Sequence, residues 1–231
     1  VDWVWVMDDD AEPAPDALEE LFQSGLHNRE DTVALTSLKM LPNGQPQFDQ
    51  TGWYDPLRMK IIPIDSAEEN EVEIKYGSFV GLLVRTHVIE EIGLPESDFF
   101  IWYDDVEYCM RLAQAGRLYL VGSSRITHYV GASQSSEGKK WRDCPLHYYW
   151  RYYYRHRNRM LILQKHVPEP MQRWRGYSRG LYYVLRRLIS TLLYDRNDKG
   201  ARLWLIIQAF LHGLLGTSGK IIDPARRVLK I

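Results

Sequence analysis

The chain has 231 residues, 45% of them hydrophobic and 26% charged, proportions that exclude a disordered or low-complexity protein and suit one large α/β domain, alone or with an appendage. Two cysteines, Cys109 and Cys144, give neither a metal-ligand spacing nor a disulfide framework, so both read as packing residues of a reducing compartment. The net charge of -1 hides an imbalance: residues 1–145 hold 12 Lys and Arg against 26 Asp and Glu, and residues 146–231 hold 17 against 4, so an acidic body precedes a basic, aromatic tail suited to an anionic partner.

Val1 opens inside a strand pattern, "VDWVWVM", with neither Met nor turn before it, as expected of a piece of a longer chain. Three consecutive carboxylates follow, Asp8, Asp9 and Asp10, and then Pro13 and Pro15 break the backbone. Asp16 with Glu19, set around Leu18, Leu21 and Phe22, predicts a helix start. Residues 31–40 predict a second strand, "LPNGQP" a turn, and the polar residues 43–72 a long loop or hairpin over one end of the sheet.

A strand through Phe79 to Val84 and a short helix through Val88 to Ile92, ended by Gly93 and Pro95, come next. An aromatic run then leads to Asp104 and Asp105, after which Val106, Cys109, Leu112 and Ala113 recur at helical spacing until Gly116. "RLYLVG" and "RITHYV" read as two short strands that bring His128 to a strand end. Beyond residue 146 the pattern is helical, with one apolar stripe of Leu181, Val184, Leu185, Leu188, Ile189 and Leu192. The longest apolar stretch, "LWLIIQAFLHGLLG" at 203–216, is too short to cross a bilayer.

Three acidic or imidazole elements therefore end strands, the place where sites gather in α/β sheets. Like charges a few ångströms apart repel, so the acidic triple calls for a cation. Carboxylate oxygens from Asp8 and Asp10 with a nitrogen from His128 suit Mn²⁺ or Mg²⁺ completed by phosphate oxygens. Each element also has a structural reading: a solvated turn for the triple, N-terminal capping of a helix by Asp104 or Asp105, and a hydrogen-bonded framework role for His128. In the functional reading one of the two adjacent carboxylates is a general base.

"VMDDDAEP" and the run "GSFVGLLVRTHVIEEIGLPESDFFIWYDDVEYCMRLAQAGRLYLVGSSRITH" resemble the family 2 inverting glycosyltransferases of the GT-A fold, notably rhamnosyltransferase-like and galactofuranosyltransferase-like members. "YYWRYYYRHRNRMLIL" resembles the aromatic Arg-Asn segment that such enzymes carry after the catalytic domain. The resemblance implies an α/β fold, a partial GT-A (Rossmann-like) mixed sheet with flanking helices plus a C-terminal helical extension. It divides the chain into the later part of a catalytic domain, 1–145, and a basic extension, 146–231, with the first strands and the nucleobase pocket of the family lying ahead of the acidic motif.

Residue roles follow from the same resemblance. Asp8, Asp10 and His128 would bind the metal, Asp9 would lie near the sugar nucleotide, and Asp105 would be the base. Trp102 and Asp104 would hold the acceptor, and Gly81, in a "G-x-F-x-G" strand, would let substrate approach the backbone. The expected reaction moves a sugar from a UDP- or dTDP-linked donor to a hydroxyl of a lipid-linked glycan in cell-envelope polysaccharide synthesis. The enzyme would sit in the cytoplasm at the inner face of the cell membrane, touching it through residues 146–231.

"WRYYYRHRNR", residues 150–159, interleaves cations with aromatics. Nucleic acid is the weaker partner for it; packing on the catalytic body and contact with an anionic lipid surface are the two main readings. The rival functional reading is a truncated, non-catalytic transferase-like module that binds a partner or a polyanion. A phosphoryl-transfer enzyme is disfavoured because no Gly-rich phosphate loop followed by Lys and Ser or Thr is present.

Overall fold

A computed structural model describes residues 1–67, 70–129 and 144–223. The described residues of Val1–Tyr54, Ile61–Pro95 and Asp105–Gly131 form one compact unit, and those of Asp55–Lys60, Glu96–Asp104 and Ala132–Ile231 a second.

The first unit is built on a mixed sheet. Its strands are β1 (Trp3–Val6), β2 (Ala11–Pro13), β3 (Thr32–Met40), β6 (Glu71–Ile74), β8 (Leu82–Arg85) and β9 (Arg117–His128), and β4 (Thr51–Asp55), β5 (Lys60–Pro63) and β7 (Tyr76–Gly77) make a small second sheet. The large sheet runs β1-β8-β3-β9-β2, with β6 also on β9. Only β3 and β9 are parallel; the other pairs are antiparallel. Flanked by β8 and β9, β3 is buried from Thr32 to Lys39, which explains its near-continuous apolar and small-residue sequence.

Helix α1 (Ala17–Gln23) packs Leu21 onto Leu35, Leu83, Tyr119 and Val121. Asp16 stands at its N-cap without a side-chain capping bond, so burial of Leu21 rather than the capping signature holds this helix. Helix α2 (Thr86–Ile92) ends at Gly93. Helix α3 (Asp104–Ala115) buries Val106, Cys109 and Leu112 as its period predicts.

The polar stretch 43–72, expected as a long loop or hairpin, holds β4 and β5, consecutive strands that pair with each other, and the start of β6. Two sequence expectations need correction. The strand placed at Phe79 to Val84 begins only at Leu82, because Gly81 turns with φ +77. "RLYLVG" and the "RITH" of the second segment are one continuous strand, β9, which ends at His128; the break suggested by Gly122 and Ser123 is absorbed as a register shift against β3 between Ser37 and Leu38.

The second unit is helical: α4 (Trp150–His166), α5 (Pro170–Tyr194) and α6 (Lys199–Leu214). Its core is Tyr149, Trp150, Tyr152, Tyr153, Tyr154, Val184, Leu205, Ile206 and Ala209. The aromatics of "WRYYYRHRNR" are thus mostly spent on packing, which removes the stacking faces a nucleic acid would need. Gly176 and Gly180 let α5 approach α4: a β-carbon there would stand 2.5 Å from Leu163 and 2.8 Å from Met160 Sδ. Among the described residues, no helix is long and apolar enough to cross a membrane.

Candidate active site

The acidic triple leaves β1 in a turn closed by the Ala11 amide donating to the Asp8 carbonyl, 3.3 Å. The chain then enters β2, where Ala11 lies in register with His128 of β9 and the Tyr129 amide donates to the Asp10 carbonyl, 2.8 Å. Strand pairing therefore brings together side chains that are far apart in sequence. One ligand atom each from Asp8, Asp10 and His128 lie within 4.8 Å of one another, close to the span around a single divalent cation with bonds of about 2.2 Å. His128 is buried, Asp10 half-buried, and Asp8 and Asp9 exposed.

His128 is held from behind. Its Nδ1 lies 3.2 Å from Gln47 Oε1 and 3.4 Å from Gln50 Nε2, and Ser78 Oγ donates to Gln50 Oε1 at 2.9 Å. In the tautomer whose Nδ1–H donates to Gln47, the Nε2 lone pair faces Asp10 Oδ1 at 3.4 Å and is open to a cation; in the other, Nε2–H donates to Asp10 and Nδ1 accepts from Gln50 Nε2. The donor set of two carboxylates and one imidazole fits a divalent ion.

Asp105 lies in the same unit. Its Oδ1 accepts the Val106 amide at 2.7 Å and its Oδ2 accepts the Tyr76 hydroxyl at 3.0 Å, so one oxygen caps the helix start and the other is oriented by a neighbouring strand. Trp102 and Asp104 belong to the second unit and are half-buried.

Gly81 has a structural task of its own. Its amide donates to the Val6 carbonyl at 3.0 Å and its carbonyl accepts from Ser37 at 3.2 Å, pinning the end of β1 to β3. A β-carbon on it would stand 2.2 Å from Ile126 Cδ1. The side chain of Ile126 therefore occupies the space on that face of Gly81.

Four residues escaped the sequence reading. Lys39 is fully buried in β3 and donates to Thr36 Oγ1 at 2.8 Å and to Thr51 Oγ1 at 3.5 Å. Burial lowers its ammonium to about 8, with Cys109, Asp105 and Asp8 pulling the other way. Burial also pushes the Cys109 thiol up to about 12, so that group is neutral and the cation answers to the two carboxylates. The Lys39 carbonyl also accepts the Gln47 amide at 2.8 Å, tying it to the support of His128. A lone lysine inside "TVALTSLKM" was the available signal; Gln47, Gln50 and Tyr76 had none.

No protein-family model matches the chain. Over 147 residues, 60% of its length, it is 34% identical to the dTDP-rhamnosyl transferase RfbF of Shigella flexneri, of which it spans 45%. In structure, 94% of the chain matches 40% of the crystal structure of GalNAc-T7 with UDP, GalNAc and Mn²⁺, at a TM-score of 0.54 and 12% identity. The chain has the GT-A glycosyltransferase fold. It spans less than half the length of either protein, and at 12% identity the second likeness speaks for the fold alone. Within this GT-A fold, the Asp8, Asp10 and His128 cluster stands where β1 ends and β9 ends.

Proposed function

We propose that the protein is an inverting glycosyltransferase that moves a sugar from a dTDP- or UDP-linked donor to a hydroxyl of a lipid-linked glycan. The observation that carries this reading is the convergence of Asp8, Asp10 and His128 ligand atoms within 4.8 Å in the unit that also holds Asp105 and the buried Lys39.

In this mechanism the acceptor hydroxyl gives its proton to Asp105, which the Tyr76 hydroxyl orients. The acceptor oxygen bonds to the anomeric carbon from the face opposite the departing nucleoside diphosphate, whose bond to that carbon breaks, so the centre inverts. Asp8, Asp10 and His128 would hold Mn²⁺ or Mg²⁺, which supplies positive charge to the departing diphosphate. Asp9, exposed beside them, would lie near the sugar nucleotide, and Trp102 and Asp104 would hold the acceptor glycan.

A lipid-linked acceptor is supported by the outer face of α5. Met171, Trp174, Leu181, Leu185, Ile189 and Leu192 are all exposed along it, and the helix carries five arginines and no carboxylate. An apolar stripe among cations is the chemistry of a helix lying in an anionic membrane surface. That chemistry supports a reading in which the enzyme works peripherally at the inner face of the cell membrane, in cell-envelope polysaccharide synthesis.

The test is transfer itself. The purified protein with Mn²⁺ is given dTDP-rhamnose or a UDP-sugar and a lipid-linked glycan, and product is followed by mass spectrometry. Asp105→Asn is expected to abolish transfer while dTDP or UDP binding by calorimetry persists. Full transfer by that variant would remove Asp105 from the mechanism, and absence of donor binding by the unmodified protein would remove the mechanism.

A further inference from the structure

Within four positions, three non-glycine residues hold a positive φ: Phe100 at 65, Trp102 at 64 and Tyr103 at 69. The β-carbon crowds the following carbonyl in that region, so bulky residues stay there only where surrounding contacts over-determine them. Those contacts come from α4, in the same unit.

Asn158 Nδ2 donates to the carbonyls of Phe99, Ile101 and Trp102 at 3.0, 3.0 and 2.6 Å. Arg157 Nη2 donates to those of Asp98 and Phe99, both at 3.1 Å, and its Nη1 to Gly219 at 2.5 Å. The Arg157 Nε donates to Asn158 Oδ1 at 2.9 Å, which fixes the amide with its nitrogen towards the loop. Both side chains are fully buried. Side-chain contacts repeat the pattern: Phe100 lies 4.8 Å from the Tyr154 ring, Arg155 stands over the Trp102 ring at 5.5 Å, and Arg159 Nε donates to the Tyr103 hydroxyl at 2.7 Å.

We propose that Arg157 and Asn158 are positioning residues for acceptor use: they hold residues 98–103 in the conformation that needs positive φ at Phe100, Trp102 and Tyr103, so that Trp102 and Asp104 are presented in one arrangement. The inference rests on the proposed acceptor role of those two residues. It gives the start of the helical extension a task in the reaction, one that a tail devoted to membrane contact would not have.

Asn158→Asp tests it, because the variant keeps the acceptor of the Arg157 Nε bond and turns an oxygen towards three carbonyls. Hydrogen-deuterium exchange of peptides covering residues 96–105 is expected to rise roughly tenfold or more, with peptides of β1 and β3 unchanged. The acceptor KM is expected to rise roughly tenfold while the Kd for Mn²⁺ and for dTDP or UDP stays at its wild-type value. Arg157→Lys, which keeps the charge but loses the planar fork, gives a smaller change in the same direction and carries the test should Asn158→Asp not fold. Wild-type exchange at 96–105 in these variants, or faster loop exchange with an unchanged acceptor KM, would overturn the proposal. A wild-type protein inactive with every donor would sink the proposed function instead, and loop exchange would still decide the clamp.

Discussion

His128 Nε2 lies 3.4 Å from Asp10 Oδ1, with Gln47 behind the ring taking the other nitrogen. Metal removal and ligand substitution probe this pair directly. Asp10→Ala and His128→Ala are each expected to weaken Mn²⁺ binding by at least about 100-fold, and Gln47→Leu by about tenfold, since a partner behind a ligand matters less than the ligand. Free Mn²⁺ counted by electron paramagnetic resonance during titration reads the affinities, and EDTA should reverse binding. Equal affinity in all four proteins would dissolve the site.

Tyr76 donates to the Asp105 oxygen that does not cap α3. Tyr76→Phe should therefore lower kcat several-fold by loosening the base. Asp105→Asn should lower kcat by about 10²–10⁴-fold, the range for loss of a general base. Steady-state transfer rates at saturating donor decide the order; a Tyr76→Phe protein as impaired as Asp105→Asn would mean that the tyrosine does more than orient.

Lys39 carries the pH dependence. Its ammonium falls from 10.5 to about 8 through burial, so between those values the unfolded chain binds more protons than the folded one and stability rises with pH. Below pH 8 the burial penalty is fully present. Lys39→Met removes it, and the variant is expected to be more stable at pH 7 by on the order of 1–3 kcal/mol, part of the gain being offset by two lost hydrogen bonds. The difference should shrink as pH approaches 10.5. Thermal melts at pH 7 and 10 measure this, and transfer by the stabilised variant should nonetheless fall about tenfold, because Asp8 and Asp105 lose their shared cation.

Leu185 and Ile189 lie on the exposed stripe of α5. The double substitution Leu185→Glu and Ile189→Glu should leave the melting temperature unchanged and reduce binding to vesicles containing phosphatidylglycerol by roughly tenfold or more, while pure phosphatidylcholine vesicles bind both proteins weakly. Co-sedimentation at low and high salt reads the effect. Unaltered sedimentation would move the lipid contact elsewhere or remove it.

Much of this architecture was readable because local chemistry agreed with the fold. The turn after β1, the period of α3 and its stop at Gly116, and the helical tail all follow from residue pattern. The strand ends that bear Asp10 and His128 were visible as well, but their meeting depends on β2 pairing with β9, a contact between distant segments that no local period encodes. Gly81 was visible as special, but its packing against Ile126 was not, since Ile126 comes from β9. Lys39 showed only as a lone lysine in an apolar strand, and Gln47 and Tyr76 act from a loop and a strand whose sequences look ordinary. Arg157 and Asn158 sat inside a run whose cations suggested an anionic partner outside the protein, whereas these two bind carbonyls inside it.

The glycine face of α5 constrains what its opposite side can do. Gly176 and Gly180 seat the helix against Leu163 and Met160 with no room for a single added carbon. Rolling α5 about its axis to hide Ile189 or Leu192 would drive bulkier neighbours into those two contacts, so the greasy outer ridge is locked outward by the tightness of the inner seam.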